Sequence, residues 1–252
     1  MVVENRHPSE ERFALCFDVF SPEGKVEEYG IRHITLPAAG RDTVELRAVI
    51  YGAGKKLWSA EKPAVYRLNL FIRKGDRILE YVPVNVGFGS VSHAGGNVFR
   101  NGKQVELHPA RCNPSTPDEL RKTIGTLKKQ GYNTLWPDTP QPWWFYDICD
   151  RTGIYVIDQA NINTAYRTDD RRVGGGLSND PNWLEEYMQR TQAMFRRSRS
   201  HPCIIAWSLG GASGNGFNLY RTYVWLRKMD PTRPVVYDDA AGEWNNDLPL
   251  TR

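Results

Sequence analysis

A small β-sandwich followed by a run of β/α units is the fold class that this sequence predicts, and three observations predict it. Between Arg12 and Val86 apolar residues recur at every second position; after about Gly87 the period becomes 3.6; and from there strand and helix patterns alternate five times. The first regime reads as residues 1–87, an immunoglobulin-like sandwich, and the second as residues 88–252, built from parallel strands with crossover helices.

Within the first region Val44-Glu45-Leu46-Arg47-Ala48-Val49-Ile50 places Val44, Leu46, Ala48 and Ile50 on one face, the alternation of a half-buried strand. Turn signals at Ser21-Pro22-Glu23-Gly24, Ala38-Ala39-Gly40, Gly52-Ala53-Gly54 and Lys74-Gly75-Asp76 separate short antiparallel strands.

In the second region Val105-Glu106-Leu107 reads as the first parallel strand. Ser115-Thr116-Pro117-Asp118-Glu119 supplies a capping hydroxyl, a first-turn proline and early acids for a helix striped by Leu120, Ile124 and Leu127 and closed by Gly131. Tyr132 to Trp136 is the second strand, a helix follows around Trp144 to Arg151, and Ile154 to Asp158 is the third strand. Asp180-Pro181 opens the clearest helix, with Leu184, Tyr187, Met188, Thr191, Met194 and Phe195 on one face. Cys203 to Ser208 forms the fourth strand, a glycine-rich loop feeds a fourth helix, and Val235 to Asp238 is the fifth. Five such units fit a doubly wound sheet or about five of the eight units of a TIM barrel; no Gly-x-Gly-x-x-Gly follows a strand, which removes the main support for a dinucleotide fold.

Composition excludes several functions. The chain has 252 residues, 40% of them hydrophobic and 25% charged, with a net charge of +4. No stretch approaches the ~18 apolar residues of a membrane helix, and the first residues lack a signal peptide's apolar core, so no membrane partner is expected and the compartment is left open. The dense basic cluster Arg196-Arg197-Ser198-Arg199 ends a helix, where cations suit the dipole, and no nucleic-acid motif accompanies it. Cys16, Cys112, Cys149 and Cys203 are widely spaced, without Cys-x-x-Cys or histidines at ligand spacing, so neither a zinc site nor a disulfide scaffold is expected.

Several ordered landmarks carry a resemblance. They are Leu57-Trp58-Ser59-Ala60-Glu61-Lys62-Pro63, Asn101-Gly102-Lys103, Cys149 to Asn163, His201 to Gly210, and Asp230-Pro231-Thr232-Arg233-Pro234. Together they are similar to glycoside hydrolase family 2, the β-galactosidase and β-glucuronidase family. The resemblance implies a retaining hydrolase with two carboxyl groups on the carboxyl ends of its barrel strands, one an acid/base and one a nucleophile. In the family the acid/base is a glutamate after an asparagine, beyond the Leu-Gly of strand four; here that pair is Gly211-Ala212. The nucleophilic glutamate belongs to strand seven, beyond the five strands read here. The family's glutamate after Asp158 is Gln159, its metal-binding glutamate and histidine correspond to Asn163 and Ala165, its strand-one histidine aligns with Asn113 and its strand-two arginine with Trp136.

The expectation is therefore no catalytic residue, with Ala212 in the acid/base position, and no metal or cofactor. Carbohydrate, a galactoside or related glycan, is the expected partner, held by Trp136, Asp138, Asp158, Gln159, Asn161, Asn163 and Asn113. Trp136 is the stacking platform. Trp207, which ends an apolar strand, reads as core; Asp158 also reads as a loop cap, and His201 as a satisfied buried histidine. Three functions stay open: a β-galactosidase-like protein that binds sugar weakly without hydrolysing it, an active retaining exo-β-galactosidase using another acid, and a structural part of a larger assembly. Five of eight strands would leave two parallel edges unpaired, which predicts self-association or coverage of those edges by the sandwich and by the segment from Asp239 to Arg252.

Overall fold

The computed structural model describes residues 1–250; Thr251 and Arg252, the end of the segment expected to cover an edge, lie outside them. The chain divides into two compact units, one of Met1–Leu57 with Ala64–Phe88, the other of Trp58–Pro63 with the chain from Gly89 onward.

In the first unit β1 (Val2–Glu4), β2 (Glu11–Phe20), β3 (Val26–Leu36) and β4 (Arg41–Thr43) precede β5 (Tyr66–Lys74) and β6 (Arg77–Val86). Antiparallel pairing sets the order β3-β2-β5-β6, while β1 pairs with β4 in a separate two-stranded sheet. Strand alternation sends Leu15, Phe17 and Val19 to one face, where Leu15 joins Val3, Leu36 and Val44, and Phe17 and Val19 join Tyr66. Gly30 lies opposite Phe17, and a Cβ there would sit 2.4 Å from the Phe17 ring, so the strand accepts only glycine without moving that ring. The expected strand Val44 to Ile50 is corrected: the segment has no ladder. Val44, Leu46 and Ile50 still pack on the apolar face, so the alternation marks their direction correctly, but the segment straps the face rather than extending an edge.

The second unit opens with a meander of β7 (Val91–Ala94), β8 (Asn97–Arg100) and β9 (Lys103–Val105). The first parallel strand is not Val105–Leu107. Val105 pairs with Val98 in the meander, and the parallel strand is β10 (Pro109–Arg111), in register with β11 (Thr134–Trp136). The junction is fixed by Asn133, whose Oδ1 accepts from His108 N at 2.8 Å and whose Nδ2 donates to Glu106 O at 2.8 Å.

Between them runs α1 (Pro117–Lys129), capped reciprocally: Thr116 Oγ1 accepts from Glu119 N at 3.2 Å and the Glu119 carboxylate accepts from Ser115 N at 2.8 Å. Then follow α2 (Trp143–Thr152), β12 (Tyr155–Gln159), α3 (Leu184–Ser198), β13 (Ile204–Ser208), α4 (Phe217–Met229) and β14 (Val235–Val236). The five parallel strands lie in sequential order, β10-β11-β12-β13-β14. A doubly wound sheet reverses direction at a switch point; an unreversed series is the order of barrel staves.

The outer edge of β14 is occupied. Asp247 N donates to Val235 O at 2.7 Å, the Asp247 carboxylate accepts from Val235 N at 2.8 Å, and Asn246 Oδ1 accepts from Tyr237 N at 3.2 Å. These are the backbone groups a further parallel strand would bond.

Candidate functional site

Parity along each strand decides which residues reach the inside of the parallel sheet at its carboxyl end. Arg111 is level with Trp136, and Gln159 with Ser208. Gln159 faces inward: its Oε1 accepts from Trp136 Nε1 at 3.0 Å, from Arg111 at 3.3 Å and from Ser208 Oγ at 3.4 Å, and its Nε2 donates to Asp138 O at 2.7 Å. Its neighbour Asp158 faces the other way and meets the helices.

Arg111 is the centre of the cluster. Its guanidinium carbon lies 4.0 Å from the centroid of the Trp136 ring, and its nitrogens bond Asp138 Oδ1 at 3.0 Å and Asp238 Oδ2 at 3.1 Å. A planar cation between two carboxylates and above an indole uses both of arginine's recognition modes. Asn113 completes the arrangement, donating to Asp138 Oδ2 at 2.7 Å and accepting from Asp138 N at 2.9 Å.

The glycine-rich loop after β13 closes the side of this cluster. Gly210 has φ 153° and a Cβ there would fall 2.7 Å from Ile162 O, so this residue must be glycine for the loop to lie on its neighbour. A Cβ on Gly211 would stand 3.4 Å from Asn163 Cγ and 3.6 Å from Gln159 Nε2, which brings Gly211 beside both residues. Ala212 is exposed. Beyond it Asp239 Oδ2 accepts from Ser213 N at 2.8 Å and Gly214 N at 3.0 Å, so this carboxylate serves the loop backbone.

Of the seven residues expected to hold sugar, Trp136, Asp138, Gln159 and Asn113 are therefore gathered around Arg111, and Asn163 lies against Gln159's loop neighbour. Asn161 is exposed. Two expectations are corrected. Trp136 is 1% exposed and covered by Arg111, so it presents no open stacking face. Asp158 is 0% exposed; Tyr146 OH donates to its Oδ1 at 2.8 Å and Arg197 pairs with its Oδ2 at 2.8 Å, joining β12 to α2 and α3. Burial, reinforced by that carboxylate, pushes the Tyr146 hydroxyl well above its ordinary range. Trp207 is buried, with Nε1 on Asp230 Oδ2 at 3.0 Å, and His201 bonds Asp150 at 2.6 Å. Trp143, at the start of α2, is 76% exposed, whereas Trp144 is half-buried.

Arg111 and its bond to Asp238 were absent from the sequence expectation. The signal that would have found them is the strand boundary: with strand one ending at Arg111, the side chain stands on the rim by position alone. Other chemistry is weakly supplied. Burial raises the Cys149 and Cys203 thiols well above their ordinary range, which suits packing rather than nucleophilic attack. Among the described residues no group of three or more His, Cys, Asp or Glu side chains gathers as a metal site would.

Residues 99–249, more than half of the chain, match the model of the glycosyl hydrolases family 2 TIM barrel domain. The chain belongs to glycosyl hydrolase family 2. Among its relatives, a beta-galactosidase of Pectobacterium atrosepticum is 36% identical over 225 residues, covering 81% of this chain and 21% of the relative. A beta-galactosidase of Klebsiella pneumoniae is 35% identical over 198 residues, 74% of this chain and 18% of that protein. The chain thus spans about a fifth of the length of the curated relatives it matches. Solved structures share the fold: a Bacteroides uniformis beta-glucuronidase superposes with a TM-score of 0.73 at 18% identity, covering 94% of this chain and 30% of that one. A Parabacteroides merdae beta-glucuronidase gives 0.68 at 15% identity, with 94% and 32% covered.

Proposed function

We propose that this family 2 chain is a β-galactosidase-like protein of carbohydrate metabolism whose rim, over the residues in hand, binds sugar weakly and does not hydrolyse it. In this reading residues 1–87 are an immunoglobulin-like sandwich and residues 88–252 the N-terminal part of a barrel, about five of eight units. One observation carries it: Arg111 holds Asp138 and Asp238 together as ion pairs. Both carboxylates are thereby engaged by a cation, and Asp138 also by the Asn113 amide, so neither is directed at the oxygen of an incoming sugar. Asp239 is committed to loop amides and Asp158 to Arg197, so neither stands ready to protonate a leaving oxygen. Ala212, at the position of the family's acid/base, brings no carboxylate.

Weak binding draws support from what the rim still presents: the exposed amides of Asn113, Asn161 and Asn163 and the partly exposed carboxylate of Asp138, groups that bond sugar hydroxyls. The names of the relatives favour a second reading, an active retaining exo-β-galactosidase. Incubating micromolar protein with nitrophenyl β-galactoside and β-glucuronide separates the two. The first reading expects no turnover above the buffer rate; turnover that disappears in Asp138→Asn or Asp239→Asn would establish the second. Calorimetric titration with galactosides and uronides tests binding, and silence across the panel would leave only a structural role.

A further inference from the structure

Arg100, the last residue of β8, is 5% exposed. Its Nε donates to Trp58 O at 2.9 Å, and its guanidinium carbon lies 4.8 Å from the centroid of the Trp58 ring, which is itself buried. Among the described residues no carboxylate pairs with it, and its Nη2 is buried without a hydrogen-bond partner. A cation taken out of water is ordinarily matched by an opposite charge. One indole face and one carbonyl supply only part of that match.

The carboxylate that acts on this guanidinium through the interior is Asp150, and both of its oxygens are engaged elsewhere, Oδ2 by His201 at 2.6 Å and Oδ1 by Cys203 N at 3.0 Å. Arg233 adds a second positive charge to the neighbourhood. Burial, with Arg233 acting in the same direction, lowers the Arg100 guanidinium to about 10, so it remains charged at neutral pH.

A second unpartnered donor belongs to the same cluster. Tyr155 opens β12, at the opposite end of that strand from Gln159, and is 0% exposed. Its ring meets the Trp58 indole edge-on, with centroids 5.8 Å apart and planes inclined 72°, and its hydroxyl is buried without a hydrogen-bond partner. Tyr155 is also the foremost charge partner of Arg100. Burial raises the Tyr155 hydroxyl above its ordinary range, which keeps its proton in place at neutral pH; the Ala60 backbone lowers it, the effect of an N–H turned toward the oxygen rather than of a carbonyl. The Ala60 carbonyl is pressed instead against Gly153, where a Cβ would fall 2.2 Å from it. These groups all donate. Trp58 O, an acceptor in the same cluster, already takes hydrogens from Arg100 Nε and from Asn101 Nδ2 at 3.0 Å, which fills its two lone pairs. A water placed here would bring two hydrogens of its own, whereas an anion brings none and carries the charge that Arg100 lacks.

We propose that Arg100 Nη2, the Tyr155 hydroxyl and the Ala60 N–H hold one small monovalent inorganic anion of chloride's kind at the amino end of β12, separate from the rim and independent of whether the rim binds sugar. Size follows from burial, since Arg100, Trp58 and Tyr155 are all closed to water. Entry follows from Gly89, which is exposed: with φ at 149°, a Cβ there would stand 3.0 Å from Arg100 Nη2 and 2.5 Å from Asn101 Oδ1, so the backbone without a side chain is what separates Nη2 from solvent.

The test compares sodium chloride with sodium gluconate at one ionic strength, on the full chain. The protein should broaden the chloride NMR line, bromide should reverse the broadening, and the thermal midpoint should be higher in chloride than in gluconate by several degrees. Arg100→Met, which keeps the stem and removes the charge, should abolish both responses. Tyr155→Phe, which keeps the ring on Trp58 and removes one donor, should weaken chloride about ten-fold and reads the site even where Arg100→Met does not fold. Arg73→Met, which removes an exposed arginine, should keep both responses. Absence of bromide-reversible broadening, broadening of native strength in Arg100→Met, or native chloride affinity in Tyr155→Phe would each overturn the proposal, the first leaving only water against these donors.

Discussion

The Arg111 guanidinium carbon sits 4.0 Å from the centre of the Trp136 ring, and that contact makes an otherwise plausible sugar platform into the floor beneath a surface cation. The stacking is reinforced by two carboxylates and one amide oxygen, so the arginine is held from its face and from its edges.

Removing it should both destabilise and open the rim. Arg111→Ala strips Gln159 Oε1 of one donor and leaves Asp138 and Asp238 without their shared cation, a change of about 1–3 kcal/mol. Its thermal midpoint should fall by several degrees, and tryptophan emission should shift to the red as Trp136 gains water. Arg111→Lys should recover little of this, because an ammonium neither stacks flat nor bridges two carboxylates in one plane. Identical melting and emission in Arg111→Lys and the native chain would show that charge alone holds the rim.

How far the sequence could be read turns on such particulars. The parallel strands β11 to β14, the four helices α1 to α4, the cap around Thr116 and Glu119 and the core position of Trp207 depend on local periodicity and capping chemistry, which a single sequence displays. Arg111 was hidden because Val105-Glu106-Leu107 carries the better apolar alternation, although Val105 belongs to a meander whose partner, Val98, is recognised only through pairing. Asp158 and Gln159 differ by one position and therefore by one face, a distinction that requires knowing which parity of β12 points inward. For Val44 to Ile50 the pattern correctly marks the buried side chains, but hydrogen-bond partners are non-local and leave no trace in the alternation.

Ala212→Glu places a carboxylate at the position that the proposed reading assigns to the family's acid/base. The position is exposed, so the substitution should leave the thermal midpoint nearly unchanged. It should not create turnover of nitrophenyl β-galactoside, since retaining hydrolysis needs a second, attacking carboxylate about 5 Å away and the rim acids Asp138 and Asp238 are both bound to Arg111. Hydrolysis by the single variant at a rate above buffer would mean that one of those acids is released when sugar binds.

Asp230 makes stability depend on acid. Burial alone would raise its carboxyl, but the Thr232 hydroxyl, Arg233 and the Trp207 indole N–H outweigh burial and hold it below the usual carboxylate range. Because the folded value lies below the unfolded value of about 3.9, the stabilisation is fully present above that pH and is lost as pH falls through the folded value. Asp230→Asn should therefore lower the urea midpoint at pH 6, and the gap to the native chain should narrow below about pH 4. A gap of constant size from pH 6 to pH 3 would assign the loss to packing instead.

Asp247 offers the sharpest test of what protects the outer edge of the parallel sheet. Its backbone N–H and its carboxylate satisfy the carbonyl and the N–H of Val235, and the same carboxylate accepts from Tyr223 OH at 2.7 Å. In Asp247→Ala the backbone bond can persist, but the Val235 N–H loses its acceptor and the Tyr223 hydroxyl its partner, at a cost of about 1–3 kcal/mol. An edge with a freed donor beside buried valines is a template for another strand. The variant should show a lower thermal midpoint and a sedimentation coefficient that rises with concentration more steeply than that of the native chain. Asp247→Asn, whose amide oxygen can still accept from Val235 N, should restore most of the native behaviour. If Asp247→Ala sediments like the native chain across the same concentrations, the carboxylate does not guard the edge and Asn246 with the remaining backbone bond suffices.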